Sequence, residues 1–409
     1  MYDNLLHQKA AEQLKSDIRT GQFPGSVLFS GPHGSGKLTA ALETARILSC
    51  TGTPSAAWNC SCLSCMQHKA LVSGNLILAG PRACTPEISA ASYTFLQAVS
   101  AGAPYLAAAR YLFLRSIRKL TARFSPVLWQ DDDKIHKIAA VVSEIDEELE
   151  PLDFPHLLPE EKNIEKSSKK LLELCRKLEN DFLYASIPIN QIRNVSLWAR
   201  MKSAGGRKTV IIENADRMLE SVRNALLKIL EEPPEDTVFI LTTEKRSAVM
   251  PTILSRTRTY TFCERTPGEE HEIISRVFHR ESFSGSISEY LQTFLPVQPD
   301  VLQKSAQQFF SEIAASHIPD IQGVIKECGG FEPREMLMIF LVGLMEKSRS
   351  LLKSPAGAQA VSGMVQAVQG CWNNVTVFNQ SVQAALEVLV KELSKINKIH
   401  GNVLSCAIM

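Results

Sequence analysis

Residues 26–48 read SVLFSGPHGSGKLTAALETARIL, and this stretch constrains the fold more than any other. An apolar run, a glycine-rich turn and a run with helical spacing follow one another without a gap. The turn carries G-x-x-x-x-G-K at residues 31–37, the pattern of a phosphate-binding loop between a strand and a helix. Its glycines let successive backbone N–H groups face one concavity. Lys37 adds a point charge for terminal phosphates, and the helix start favours anions. The stretch predicts an α/β nucleotide-binding domain in which Gly31, Pro32, Gly34, Ser35, Gly36, Lys37, Leu38 and Thr39 surround the phosphates.

The groups that would turn a nucleotide over are altered. Position 38, where Ser or Thr would offer a hydroxyl to magnesium, is Leu38. Thr39 follows it, but a neighbour on a helix points about 100° away. A second buried strand, in TVIIENADRM (209–218), ends in Glu213 and Asn214. A hydrolase would carry Asp-Glu there. Glu213 is a carboxylate with one extra methylene and can reach magnesium, but Asn214 cannot act as a base. The pattern predicts nucleotide binding more than hydrolysis.

Alternating segments extend the same architecture. KTVIIEN (208–214) and TVFILTT (237–243) read as strands, and VRNALLKILEEPP (222–234) as a helix stopped by two prolines. Strands separated by helices imply a parallel sheet flanked by helices. Residues from about 84 to 181 read as helices without strands, an insertion in that alternation. From Cys263 onward the chain reads as helical. The 409 residues exceed one ordinary core. A net charge of +1 excludes a wholesale electrostatic nucleic-acid binder. The basic run Arg110, Arg115, Arg118, Lys119 and Arg123 reads as a solvated helix face paired with the acidic segment after it, rather than as a DNA contact. No apolar run is long enough to span a bilayer, and the N-terminus has no signal-peptide core, so a cytoplasmic protein is expected.

Of ten cysteines, Cys50, Cys60, Cys62 and Cys65 crowd into one polar, turn-rich stretch. Thiols so placed are hard to bury as hydrophobes and match the demand of tetrahedral zinc, with Cys84 as a substitute ligand. Cys175, Cys263, Cys328, Cys371 and Cys406 are scattered and read as core residues. Trp58 and Trp198 read as packing residues.

At ENADRMLESVRNALLKILEEPPEDTVFILTTEKRSAVMPTILSRTRTYTF (213–262) the chain resembles the AAA+ clamp-loader subunits of bacterial DNA polymerase III. NALLKILEEPP and ILSRT are specific to that group, and the cysteine cluster after the first helix is similar to its delta-prime branch. The resemblance covers residues 1–83 and 185–262, with 84–181 outside it. It implies three parts: an AAA+ domain over 1–262 carrying a zinc module (50–65) and the helical insertion, a small helical lid over 263–315, and an all-α collar domain over 316–409. It further implies a ring with gamma/tau-like and delta-like partners that uses ATP to place a sliding clamp on primed DNA. Thr243 falls on the position that senses the terminal phosphate. Arg256 falls on the arginine of the family's Ser-Arg-Cys motif, here Ser255-Arg256-Thr257, which reaches a neighbour's ATP. The family's cysteines read C-x-x-C-x-x-C after the first; this chain has C-x-C-x-x-C.

Three other readings compete. A catalytic gamma/tau-like ATPase needs Asp-Glu at 213–214. A self-contained phosphate-loop enzyme needs a catalytic acid or lid arginine at a substrate pocket, and leaves EEPP and LSRT unexplained. A purely structural subunit binds no nucleotide.

Overall fold

A computed structural model describes residues 1–53, 56–81, 83–184, 186–203, 205–376, 378 and 380–407. The chain forms two compact units, Met1–Leu291 and Gln292–Met409.

In the first unit, α1 (Ala10–Arg19) precedes β1 (Ser26–Ser30), α2 (Lys37–Leu48), α3 (Leu63–Ala70) and β2 (Leu76–Ala79). Four helices follow: α4 (Thr85–Ser100), α5 (Leu106–Thr121), α6 (Ile135–Leu149) and α7 (Glu161–Phe182). Then come α8 (Ile189–Arg200), β3 (Lys208–Ile212), α9 (Glu220–Glu231), β4 (Thr237–Thr243), α10 (Pro251–Leu254), β5 (Arg258–Thr261), α11 (Pro267–Phe278) and α12 (Ile287–Gln292). The strands form one parallel sheet in the order β2-β3-β4-β1-β5. Every residue of β1 to β4 is buried, as expected of strands covered on both faces, whereas in β5, at the sheet edge, Tyr260 alone is buried.

Alternate side chains feed two cores. Val27, Phe29, Ile211, Val238 and Ile240 pack with Leu14, Leu38, Ala41 and Ala45 of α1 and α2. Leu28, Val210, Ile212, Phe239 and Leu241 pack with α8, α9 and the helices after β2. Residues 84–181 are helical as expected, but they form no appendage. Ile88, Phe95, Phe113, Ile117, Ile145 and Leu171 belong to the same continuous core as the second sheet face, with Phe95 stacked on Phe113 at 5.6 Å.

The second unit holds α13 (Pro299–Ala314), α14 (Ile321–Glu327), α15 (Glu335–Lys347), α16 (Pro355–Thr376) and α17 (Val382–Ile399). Phe309 and Phe310 of α13, Phe340 and Leu344 of α15, Met364 of α16 and Leu389 of α17 share its core. The expected lid range, 263–315, therefore takes in α13, which packs inside the second unit. Among the described residues no helix is long and apolar enough to cross a membrane.

Candidate nucleotide and metal sites

The loop between β1 and α2 has the form its glycines predict. Gly36 takes φ 90°, a left-handed conformation that glycine adopts without strain. A Cβ there would lie 2.8 Å from Leu5 Cδ1 and 3.1 Å from Arg265 Nη2. A Cβ on Gly31 would meet Phe262 O at 2.4 Å. Gly31 is thus required by close approach to backbone, and Gly36 by its left-handed φ.

The charged groups around the loop are engaged within the chain. Lys37 is buried and donates to Gly31 O at 2.6 Å and to Pro32 O. Arg265 donates to Gly34 O, and to Leu6 O at 3.1 Å. The loop is therefore covered by the N-terminal segment and by an arginine just beyond β5. Burial lowers the pKa of Arg265. Ser35 donates to Pro32 O at 2.8 Å.

At position 38 the structure has an apolar side chain in the core: Leu38 is 6% exposed and packs among the residues of the first sheet face. Thr39 is half-buried. Glu213, at the carboxyl end of β3, is ion-paired with Arg123, and both side chains are almost fully buried. Asn214 adopts φ 56° and donates to Pro81 O at 2.6 Å. Thr243 donates to Asp216 Oδ1 at 2.6 Å and accepts the Lys245 N–H at 3.1 Å. A magnesium ion between nucleotide and protein needs a hydroxyl at 38 and an available carboxylate on β3. Leu38 and the Arg123 pair do not fit that demand.

Arg256 lies at the other end of the sheet. It follows α10 and precedes β5, and it lines a cavity of about 360 Å³ with Gly25, Ser26, Leu230, Glu231 and Pro233. Ser26 opens β1, whereas the phosphate loop follows Ser30. A five-residue strand separates them, about 16 Å at ~3.3 Å per residue. Arg256 therefore stands about a strand's length from its own chain's phosphate loop. Its Nη2 meets Glu231 at 3.1 Å, and its Nη1 donates to Thr252 O at 3.1 Å. Its Nε has no hydrogen-bond partner among the described residues.

The cysteine cluster closes in space. The sulfurs of Cys50, Cys60, Cys62 and Cys65 all lie within 4.8 Å of one another, with Cys50–Cys60 at 3.8 Å and Cys50–Cys62 at 4.0 Å. Four thiolates at ~2.3 Å from a tetrahedral ion stand ~3.8 Å apart, so this donor set can hold a metal ion. Backbone N–H groups already point at the sulfurs: Gly52 and Ala56 donate to Cys50, and Cys65 to Cys62, which caps α3. The Cys65 N–H leads the effects that lower the Cys62 pKa to about 5. Cys65 is pushed up to about 12 by burial, against the pull of Arg46. Arg46 donates to Cys65 Sγ at 3.0 Å and pairs with Glu43 at 2.7 Å in a buried bridge. Cys84 lies outside the cluster, so its part as a substitute ligand falls away. It starts α4, where its N–H donates to the buried Glu179 at 2.8 Å.

The basic run is not a solvated face. Arg110 donates to the carbonyls of Leu152, Asp153 and His156. Arg115 donates to His68 O and Lys69 O, and Lys119 pairs with Glu87. Only the Arg118–Asp153 pair has the expected form, a base held by the acidic segment that follows. Trp58 and Trp198 pack beneath Lys69 and Lys208, as packing residues. Arg46, Arg123, Glu231 and Arg265 carry the sites' electrostatics; sequence reasoning placed Arg123 only in the basic run and gave none of the four a part in a site. Arg46 alone had a local signal, one helical turn before Cys50.

A family model described as "DNA polymerase III, delta subunit" matches residues 6–126 and 141–266. It runs through most of 84–181, which corrects the expectation that this segment lies outside the resemblance. The DNA polymerase III subunit delta' of Pseudomonas aeruginosa is 41% identical over 80 residues, 19% of this chain and 24% of that protein. The subunit delta' of Haemophilus influenzae is 34% identical over 85 residues, 20% of this chain and 25% of that protein. A replication factor C small subunit of Sulfurisphaera tokodaii is 28% identical over 184 residues, 43% of this chain and 55% of that protein. The chain thus spans about a quarter of the length of the first two relatives. With more than half of its residues matched by one family model, the chain belongs to the DNA polymerase III delta-subunit family.

Proposed function

We propose that this chain is a delta-prime-like member of a clamp-loader ring, which binds nucleotide weakly or without hydrolysis and supplies Arg256 to the ATP of an adjacent subunit. The observation that carries the reading is the position of Arg256. It stands at the amino end of the sheet, a strand's length from a phosphate loop whose own catalytic positions are Leu38, Glu213 and Asn214. A subunit built this way contributes to hydrolysis across an interface rather than at home. Family membership and the delta-prime relatives support gamma/tau-like and delta-like subunits as partners. The sliding clamp and primed DNA are then met through the assembly, in the cytoplasm.

The rest of the reading follows. Residues 1–262 serve as the AAA+ domain, with Gly31 to Thr39, Glu213, Asn214 and Thr243 around any bound ATP. The segment from 263 acts as the lid, and the C-terminal helices as the collar. Cys50, Cys60, Cys62 and Cys65 hold a structural zinc, whose role is to tie the turn-rich stretch to α2 and α3. Arg46 brings a positive charge to thiolates that would otherwise repel.

The test is assembly. Co-expressed with its gamma/tau-like and delta-like neighbours, the chain is expected to co-purify with both in a complex that loads clamps. Alone, it should show no steady-state ATP hydrolysis sensitive to Lys37→Ala. A chain that hydrolyses ATP by itself at motor rates, or that purifies without those subunits, overturns the proposal.

A further inference from the structure

We infer that Arg123 stands in the place of the divalent cation, so that nucleotide binding by this chain does not depend on magnesium. The inference rests on the nucleotide-binding part of the proposed function and goes beyond it. AAA+ chemistry implies Mg2+ at the β3 carboxylate, and the residues here do not fit that ion.

Three observations carry the point. The first is location. Glu213 follows β3 directly, and its N–H continues the pairing to Ala79 O at 2.9 Å. In the neighbouring strand Thr243 pairs with Ser30, the residue before the phosphate loop. Glu213 therefore lies on the sheet's carboxyl edge, with the loop. The second is occupancy. The Arg123 guanidinium is paired with that carboxylate, and the two side chains are 1% and 6% exposed. A metal ion entering there would strand a buried guanidinium, a penalty of roughly a hundredfold or more in affinity. The third is that Arg123 is built in rather than draped over. It sits in a 3-10 turn (Ala122–Phe124) that closes α5, and its Nη1 donates to Lys119 O. Its carbonyl accepts the Trp129 indole N–H at 2.9 Å. Trp129 is stacked between Phe124 at 5.4 Å and Tyr184 at 5.2 Å.

Leu38 removes the second protein contact that the ion would use. The cations left beside the phosphate loop are Lys37 and Arg265, which suit phosphate oxygens without a metal bridge.

The experiment is an equilibrium titration of the full chain with the fluorescent analogue mant-ATP, in excess Mg2+ and in EDTA. The expected affinities agree within about threefold, less than one charge-assisted contact is worth. Binding tightened about tenfold or more by Mg2+ overturns the inference. Arg123→Met keeps the apolar stem and removes the charge. In that variant Mg2+ is expected to tighten binding by about tenfold, because Glu213 is released to the ion. Arg123→Lys should behave as the parent chain. If the parent binds mant-ATP in neither buffer, nucleotide binding itself fails, and the Arg123→Met arm decides. Mg2+-dependent binding appearing in that variant still assigns the block to Arg123, and its absence overturns it. If Arg123→Met does not fold by circular dichroism, the Mg2+ and EDTA comparison on the parent chain and on Arg123→Lys stands as the test.

Discussion

Arg256→Ala separates a surface ion pair from a group that acts in trans. In the chain alone the arginine side chain is 28% exposed, and its partner Glu231 is 58% exposed. A pair so open to water contributes ~0.2–1 kcal/mol, and the hydrogen bond to Thr252 O adds about 1 kcal/mol at most. The substitution should therefore lower stability by at most about 2 kcal/mol, a shift of a few degrees at roughly 2–4 °C per kcal/mol. Against a transferring phosphoryl group the same guanidinium does far more, because its donors match charge spread over several oxygens. A finger of this kind is worth ~10³–10⁵ in rate, or roughly 4–7 kcal/mol. Two measurements on one variant thus differ by orders of magnitude. The melting temperature of the isolated chain should fall by no more than those few degrees. In the reconstituted complex, single-turnover ATP hydrolysis at the adjacent site should collapse, and clamp loading with it. Total turnover falls only in part if other sites in the ring keep their own fingers, so the single-site and loading assays carry the decision. An assembled Arg256→Ala complex that loads clamps at the normal rate refutes the argument.

Elemental analysis of protein purified without added metal should find about one zinc per chain, lost when Cys62 and Cys65 are both changed to Ser. Asn214→Glu should not create an ATPase, since Leu38 and the Arg123–Glu213 pair remain; steady-state turnover appearing in that single variant contradicts the account of the site. Acid should destabilise the chain through His68, whose pKa is pushed from 6.5 to about 4 by burial and by Arg46 and Arg115. The unfolded chain takes up that proton first, so stability present above pH 6.5 is lost as pH falls toward 4, by up to about 3 kcal/mol. Denaturant melts of His68→Gln should show a flatter profile over that window.

The parts legible in the sequence are those with local rules. β1, the phosphate loop, β3, α9 and β4 each announce themselves through apolar runs, glycines or prolines within a few residues. β2 escaped notice because LILA is four residues long and stands inside a stretch dominated by the cysteine turn. β5 was hidden by its edge position, where only Tyr260 is buried. The helices of 84–181 are legible as helices, but not as cover for a sheet face. Covering a sheet face requires only apolar residues at helical spacing, and that leaves no motif to recognise. The basic run was misread for a related reason. Arg110 and Arg115 are held by backbone carbonyls of distant segments, and a carbonyl carries no residue identity to predict from.

The other arginines show by contrast how loosely Arg256 is held. Arg46 and Arg123 sit in buried pairs with Glu43 and Glu213, and Arg265 is pinned to the carbonyls of Gly34 and Leu6. Removing one member of a buried pair leaves an uncompensated charge, at ~3–5 kcal/mol, so neither Arg46 nor Arg123 can be drawn away by an incoming phosphate. Arg256 is held differently. Its carboxylate partner is exposed and can be rehydrated, and the exchange costs ~1 kcal/mol or less. On the proposed reading, a neighbour's nucleotide would offer roughly 4–7 kcal/mol in the transition state, which outweighs that restraint but only about matches the restraint on a buried pair. The fold thus spends two of its arginines on closing sites at home and leaves Arg256 on a weak, solvent-exposed tether at the opposite end of the sheet.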